Sequence, residues 1–124
     1  FVFTDYRDSG VTHTQLSGGG FNAVNHGIDT IKDFQTGTDK IDLSQIDADT
    51  TLSGNQAFHF VDQLTGHAGE LRVFLGTSVD SQNPVNENWF KLQGDVDGDG
   101  IADFELNAMV NDLSIVNPIT DFLL

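Results

Sequence analysis

Gly94-Asp95-Val96-Asp97-Gly98-Asp99-Gly100-Ile101-Ala102-Asp103-Phe104-Glu105 is the stretch on which the reading of this chain turns. Asp recurs at alternate positions ahead of a Gly, between two strand-like runs. One reading is a cation loop. An Asp-x-Asp-x-Asp-Gly sequence wraps its carboxylates around one point, Gly permits the sharp turn, and a hard calcium ion wants six to eight oxygens at about 2.3–2.6 Å. Asp95, Asp97, Asp99 and Asp103 then stand as ligands, with the Ile101 carbonyl available. Leu106 occupies the position where an EF-hand carries its bidentate Glu, so such a site is weaker or completed from elsewhere. The other reading is a plain hairpin, since Asp-Gly is also a common two-residue turn signal. Beyond the turn, Ala102, Phe104 and Leu106 alternate with Asp103 and Glu105, the period of a strand that buries the first set.

The same texture extends along the chain. Helical periodicity is scarce, and short apolar or alternating runs bounded by Gly, Asn and Asp recur. Strands are expected near residues 1–3, 30–34, 40–43, 58–61, 70–75, 89–93, 101–106 and 119–123. Short helical turns are expected at Ser44–Asp47, where Ser44 is a good cap, and at Val110–Leu113. Asp8–Gly20, rich in Gly, Ser and Thr, reads as a loop or bound-ion turn, and Thr77–Asn88, polar and containing Pro84, as an exposed hairpin loop. The fold class is therefore all-β: a β-sandwich or a domain capping a β-roll, with short strands and Gly/Asp-rich turns. Residues 1–124 form one domain, and 38% hydrophobic residues with ten Phe suffice for a single core. The chain starts at Phe1 without an initiating Met, as a piece of a longer protein would.

Charge narrows the partners. Nineteen acidic residues oppose five Lys and Arg, for a formal net charge of −14, and only Glu70, Glu87 and Glu105 are not Asp. Such self-repulsion disfavours the compact state, which makes divalent cations natural partners and nucleic acid or an anionic membrane poor ones. The absence of Cys excludes disulfides and thiolate sites. No apolar run is long enough to span a bilayer.

A second signal is Gly27-Ile28-Asp29-Thr30-Ile31, the latter half of a Gly-Gly-x-Gly-x-Asp-x-U-x nonapeptide, with U a large apolar residue. One such copy cannot build a roll, because stacked repeats need neighbours to bury their apolar face. Gly27-Ile28-Asp29-Thr30-Ile31-Lys32-Asp33-Phe34 followed by Gly37-Thr38-Asp39-Lys40-Ile41-Asp42-Leu43-Ser44, with Phe1-Val2-Phe3 and Arg7-Asp8-Ser9 before them, resembles the carboxyl-terminal domain of the serralysin/RTX family. Asn55-Gln56-Ala57-Phe58, Gly69-Glu70-Leu71-Arg72, the Gly94–Leu106 segment and the closing Asp121-Phe122-Leu123-Leu124 carry the resemblance over nearly the whole chain.

The resemblance implies a secreted, extracellular bacterial protein in which this domain follows a calcium-binding β-roll and a catalytic domain. It implies a folding and type I secretion module that is not catalytic itself, with Asp121, Phe122, Leu123 and Leu124 as the secretion signal read by the export machinery. Ca2+ is the expected cofactor, and Asp29, Asp33, Asp39 and Asp42 are further candidate ligands; alternatively they bond loop backbone or face water between buried Ile31, Phe34, Ile41 and Leu43.

Catalytic patterns are missing from the sequence. His13, His26, His59 and His67 are scattered and form no His-Glu-x-x-His pair. Gly76-Thr77-Ser78 is followed by no nucleophile-elbow pattern. The alternative function is an extracellular carbohydrate-binding module that grips a polysaccharide through Trp89, Tyr6 or some of the Phe side chains, although core packing claims most of these.

Overall fold

Strong β-formers separated by Gly-, Asn- and Asp-rich turns do give an essentially all-β domain. The computed structural model describes residues 1–15, 21–80, 83–110 and 121–124. Its strands are β1 (Gly10–Gln15), β2 (Phe21–Gly27), β3 (Asp29–Phe34), β4 (Ile41–Asp42), β5 (His59–Phe60), β6 (Glu70–Asp80), β7 (Asn83–Asp95), β8 (Phe104–Val110) and β9 (Phe122–Leu123). Seven strands form one sheet in the order β2-β1-β8-β7-β6-β5, with β3 also paired to β8, and β4 and β9 form a small parallel sheet. No helix among the described residues is long and apolar enough to cross a membrane.

Strand β8 is the hub. One edge pairs antiparallel with β7, from Asn88↔Val110 to Gly94↔Phe104. Its other edge is shared: Gly10 of β1 meets Phe104, and β3 then runs parallel from Asp29↔Leu106 to Phe34↔Val110. The handover is made by Ser9, which is buried. Its carbonyl accepts the Glu105 N–H at 3.1 Å, and its Oγ donates to the Glu105 carbonyl and accepts the Asp29 N–H at 2.8 Å. Gly10 follows at φ +136°, where a Cβ would lie 2.3 Å from the Asp103 carbonyl oxygen, so only glycine lets β1 approach β8 here.

Alternation does the rest. Phe104, Leu106, Ala108 and Val110 point into the core, while Glu105, Asn107 and Met109 are partly exposed. Phe90, Leu92 and Leu71 join the inward face, and Phe3, Ile41, Leu43, Ile46, Phe58 and Phe122 complete the same buried cluster. Ring pairs pack edge to face through the core: Phe3 with Phe104 at 5.5 Å, and Phe90 with Phe34 at 5.5 Å and with Phe122 at 5.8 Å.

Three expectations need correction. Asp8–Gly20 is not a loop throughout: after a 3-10 turn at Tyr6–Asp8, Gly10–Gln15 is a strand paired with β2. Val11-Thr12-His13-Thr14 has the β-branched content of a strand, which outweighs the flanking glycines; residues 16–20 lie outside the described part. Thr77–Asn88 is likewise the extension of a long hairpin, in which β6 and β7 remain paired out to Asp80↔Asn83. Ladder hydrogen bonds propagate a hairpin through polar residues once its register is set. Finally, β8 begins at Phe104 rather than Ile101, because Ile101–Asp103 belongs to the preceding loop. Ser44–Asp47 is a turn, closed by Ile46 N–H to the Leu43 carbonyl at 2.9 Å. Residues 111–113 and 119–120 lie outside the described part.

Phe104→Ala is expected to cost about 3–5 kcal/mol of unfolding free energy, as emptied aromatic core sites do. Leu52→Ala, at a side chain 60% exposed, is expected to cost less than about 0.5 kcal/mol. Urea unfolding of both variants checks the contrast.

Candidate metal centre

Strand β7 ends at Asp95, and the chain reverses through residues 96–103 before β8 begins. The reversal is organised by short acid side chains bonding to the backbone just ahead of them. Asp95 is fully buried; its Oδ1 accepts the Gly98 N–H at 2.6 Å and its Oδ2 the Gly100 N–H at 2.7 Å. Asp97 Oδ1 accepts from Asp99 N–H at 3.1 Å, and Asp99 Oδ1 from Ile101 N–H at 2.7 Å. Gly98 and Gly100 have φ of +81° and +83°, the left-handed conformations that turn successive amides toward one carboxylate.

This winding brings Asp95, Asp97 and Asp99 into one group, each offering a ligand atom with all three within 4.8 Å of one another. Two oxygens bound on opposite sides of one calcium ion stand about 4.6–5.2 Å apart, so the spread suits a single ion. The donors are all carboxylate oxygens, the chemistry of a hard cation rather than of zinc or copper. An oxygen that already accepts one N–H keeps a second lone pair. Asp103 stands outside the group: it is buried, and its Oδ2 accepts the Val96 N–H at 3.1 Å at the base of the loop.

The loop rests on a neighbour that sequence reasoning did not single out. Gly69 N–H donates to the Asp95 carbonyl at 2.8 Å, and an added Cβ at Gly98 would meet the Ala68 nitrogen at 3.1 Å. Gly66 is less tightly placed: an added Cβ there would meet the Gly98 carbonyl and Gly100 at 3.6–4.0 Å, an ordinary van der Waals contact. This supporting loop is closed by Glu70, a buried residue whose Oε2 accepts the Thr65 N–H at 2.6 Å and whose Oε1 accepts the Thr65 hydroxyl at 2.5 Å. Those bonds, the hydroxyl first, hold the Glu70 carboxyl below its ordinary value of 4.5. The sequence marks Glu70 only as part of the Gly69-Glu70-Leu71-Arg72 landmark; its role comes from a loop folded back against a distant one.

The other candidate ligands are placed apart. Asp29, Asp33, Asp39 and Asp42 supply no further group of three among the described residues. Asp39 Oδ2 accepts the Gln35 N–H at 2.9 Å, and Asp42 Oδ1 accepts the Ser44 hydroxyl at 2.6 Å and N–H at 3.0 Å, which lower the Asp42 carboxyl from its ordinary value. Asp29 and Asp33 are exposed. At the carboxyl end, Asp121 is buried and accepts the Gly37 N–H at 2.8 Å, Phe122 enters the core, and Leu123 is half-exposed on β9. His59 and His67 occupy separate segments; His67 Nδ1 lies 2.9 Å from the Thr65 hydroxyl and 3.8 Å from Glu70.

The fold and the site define an acidic all-β domain whose hub strand is entered through a wound Asp-Gly loop. Comparison with known proteins gives the family. The family described as Peptidase M10 serralysin C terminal matches residues 18–119, and the chain belongs to it. It is 35% identical over 85 residues to serralysin of Proteus mirabilis, covering 66% of this chain and 17% of that protein. It is 40% identical over 55 residues to serralysin C of Dickeya chrysanthemi, covering 44% of this chain and 10% of that protein. The chain thus spans under a fifth of the length of these relatives.

Glu70 makes the supporting loop sensitive to acid. Its folded-state value is depressed, so its stabilisation is present above the unfolded value of about 4.5 and fades as pH falls through the lower folded value. Glu70→Gln is therefore expected to lower the melting temperature at pH 7, with the gap to the parent chain closing as pH falls below about 4.5 and through the lower folded-state value. Paired thermal scans across that range check it.

Proposed function

We propose that this chain is the calcium-binding folding and type I secretion module at the carboxyl end of a larger extracellular RTX protein of a bacterium, with no catalysis of its own. The observation that carries the reading is Asp95. Its fully buried carboxylate is met by two backbone amides, and Asp97 and Asp99 bring two more carboxylates to the same point. Burying ionised carboxylate is costly unless a cation or strong hydrogen bonds meet it. Asp95, Asp97 and Asp99 would hold calcium, which would supply the positive charge this −14 chain lacks.

The functional logic follows from linkage. At low free calcium, repulsion among carboxylates holds the chain open for export; where calcium is abundant, binding to the folded form alone favours folding. At 100 times the dissociation constant, one site adds about 2.7 kcal/mol, a large share of a typical domain stability of about 5–15 kcal/mol. Family membership supports the parent chain, with an upstream β-roll and catalytic domain as partners; Asp121, Phe122, Leu123 and Leu124 would be the signal for the secretion machinery.

Millimolar calcium is expected to raise the melting temperature above that in chelator, magnesium is expected to do much less, and Asp97→Asn with Asp99→Asn is expected to remove most of the difference. Equal melting curves in chelator and calcium would overturn the metal reading. For export, a reporter carrying this chain at its carboxyl end is expected to leave cells that express a type I exporter, and deletion of residues 121–124 is expected to retain it inside; unchanged secretion would overturn the signal assignment.

A further inference from the structure

The side of the large sheet facing away from the core carries an ordered grid of side chains that neither the core nor the Asp loop uses. Register places Gly76, Trp89 and Met109 in one row across β6, β7 and β8. Phe74, Lys91 and Asn107 form the next, and Arg72, Gln93 and Glu105 the third. These residues alternate with the buried Leu71, Phe90, Leu92, Leu106 and Ala108, so they share the opposite face.

The first two rows hold an aromatic shelf. A Cβ at Gly76 would meet ring atoms of Trp89 at 2.3–2.7 Å, so glycine is what lets the indole lie directly over the neighbouring strand. Phe74 sits beside it, centroids 5.8 Å apart and planes 31° from parallel, and is 44% exposed. The third row is polar. Arg72 lies over the Phe74 ring at 5.3 Å, and Glu105 accepts from Gln93 at 2.8 Å and from Lys91 at 3.3 Å. This end opens into a cleft of about 350 Å³ lined by Leu64, Arg72, Gln93, Ile101 and Glu105, within the size range of small-ligand sites.

We propose that this face is a binding site for a neutral polysaccharide. Pyranose rings present flat C–H faces that pack on tryptophan and phenylalanine, and equatorial hydroxyls that pair with guanidinium, amide and carboxylate groups at the ring edge. From Trp89 to Gln93 the strip runs about 14 Å along β7, the span of a short oligosaccharide rather than one sugar. A protein partner would call for a continuous apolar centre, whereas here the rings give way to Lys91, Arg72, Gln93 and Glu105 within one row. A polyanion is disfavoured because Glu105 offsets Lys91 and the chain carries −14 overall.

Trp89 is the single tryptophan of the chain, so its fluorescence reports on the site directly. The probes are hydroxyethylcellulose and chito-oligosaccharides as neutral glycans, with polygalacturonate as the charged control. A neutral probe is expected to shift Trp89 emission saturably and to retard the chain in affinity electrophoresis. Trp89→Ala is expected to weaken retardation about tenfold or more, while the calcium-dependent melting is unchanged; Trp89→Tyr, which keeps a ring, covers the case in which the alanine variant does not fold and is expected to retain part of the binding. No retardation by any neutral glycan, retardation that survives Phe74→Ala together with Trp89→Ala, or binding confined to polygalacturonate and abolished by salt would each overturn the proposal. So would a dimer in sedimentation that Trp89→Ala converts to monomer without any glycan effect.

Discussion

Strand β8 must be hydrogen-bonded along both edges while its inward side chains fill the core, and that double demand shapes the domain. One edge is met by β7, which is joined to it through the Asp95 loop; the other is divided between the start of β1 and the length of β3. Both junctions are made by small buried polar groups rather than by apolar packing. Asp95 gathers the amides of Gly98 and Gly100 at one junction, and Ser9 joins Asp29 and Glu105 at the other, both near the start of β8. A buried polar group is stabilising only when its bonds are complete, so each junction specifies one local geometry, and the register of the strands follows from it.

The same economy appears at the chain ends. Strand β4 lies between them: Phe1 and Phe3 bond to it from one side, and Leu123 from the other. Asp121 anchors the last residues to Gly37, and Phe122 reaches Phe90 in the core. The folded domain therefore buries Asp121 and Phe122, two of the four residues that the proposed export role assigns as a signal, and leaves Leu123 half-exposed. Under that role, folding and signal display compete, which is consistent with folding being deferred until calcium is met outside.

The acidic character of the chain has a structural division of labour. Some carboxylates close turns on their own backbone, as Asp8 does for Thr4 and Asp5, and Asp42 for Ser44. Others are buried: Asp95 and Asp103 bind amides within their own loop, and Asp121 binds one across the fold. Asp95, Asp97 and Asp99 alone among the described residues converge as a group that suits a cation. The composition of the chain announces many short acids; it does not sort them, because sorting depends on which backbone each one meets.

Alternation and turn chemistry are local, and so the all-β class, the inward set of β8, the buried Ile31, Phe34, Ile41 and Leu43, and the Asp loop with its glycines were all readable in the sequence. So was the family, from the ordered landmarks between Gly27 and Ser44. Other features were decided by tertiary structure. Whether polar segments such as Thr77–Asn88 pair as strands depends on a partner ladder already in register; Glu70 acquires its role only when residues 65–69 fold against residues 96–100; and Trp89 and Phe74 share a face only through the pairing of β6 with β7. Each of these rests on contacts between residues far apart in the chain, whose free energy exists only once the chain has closed upon itself.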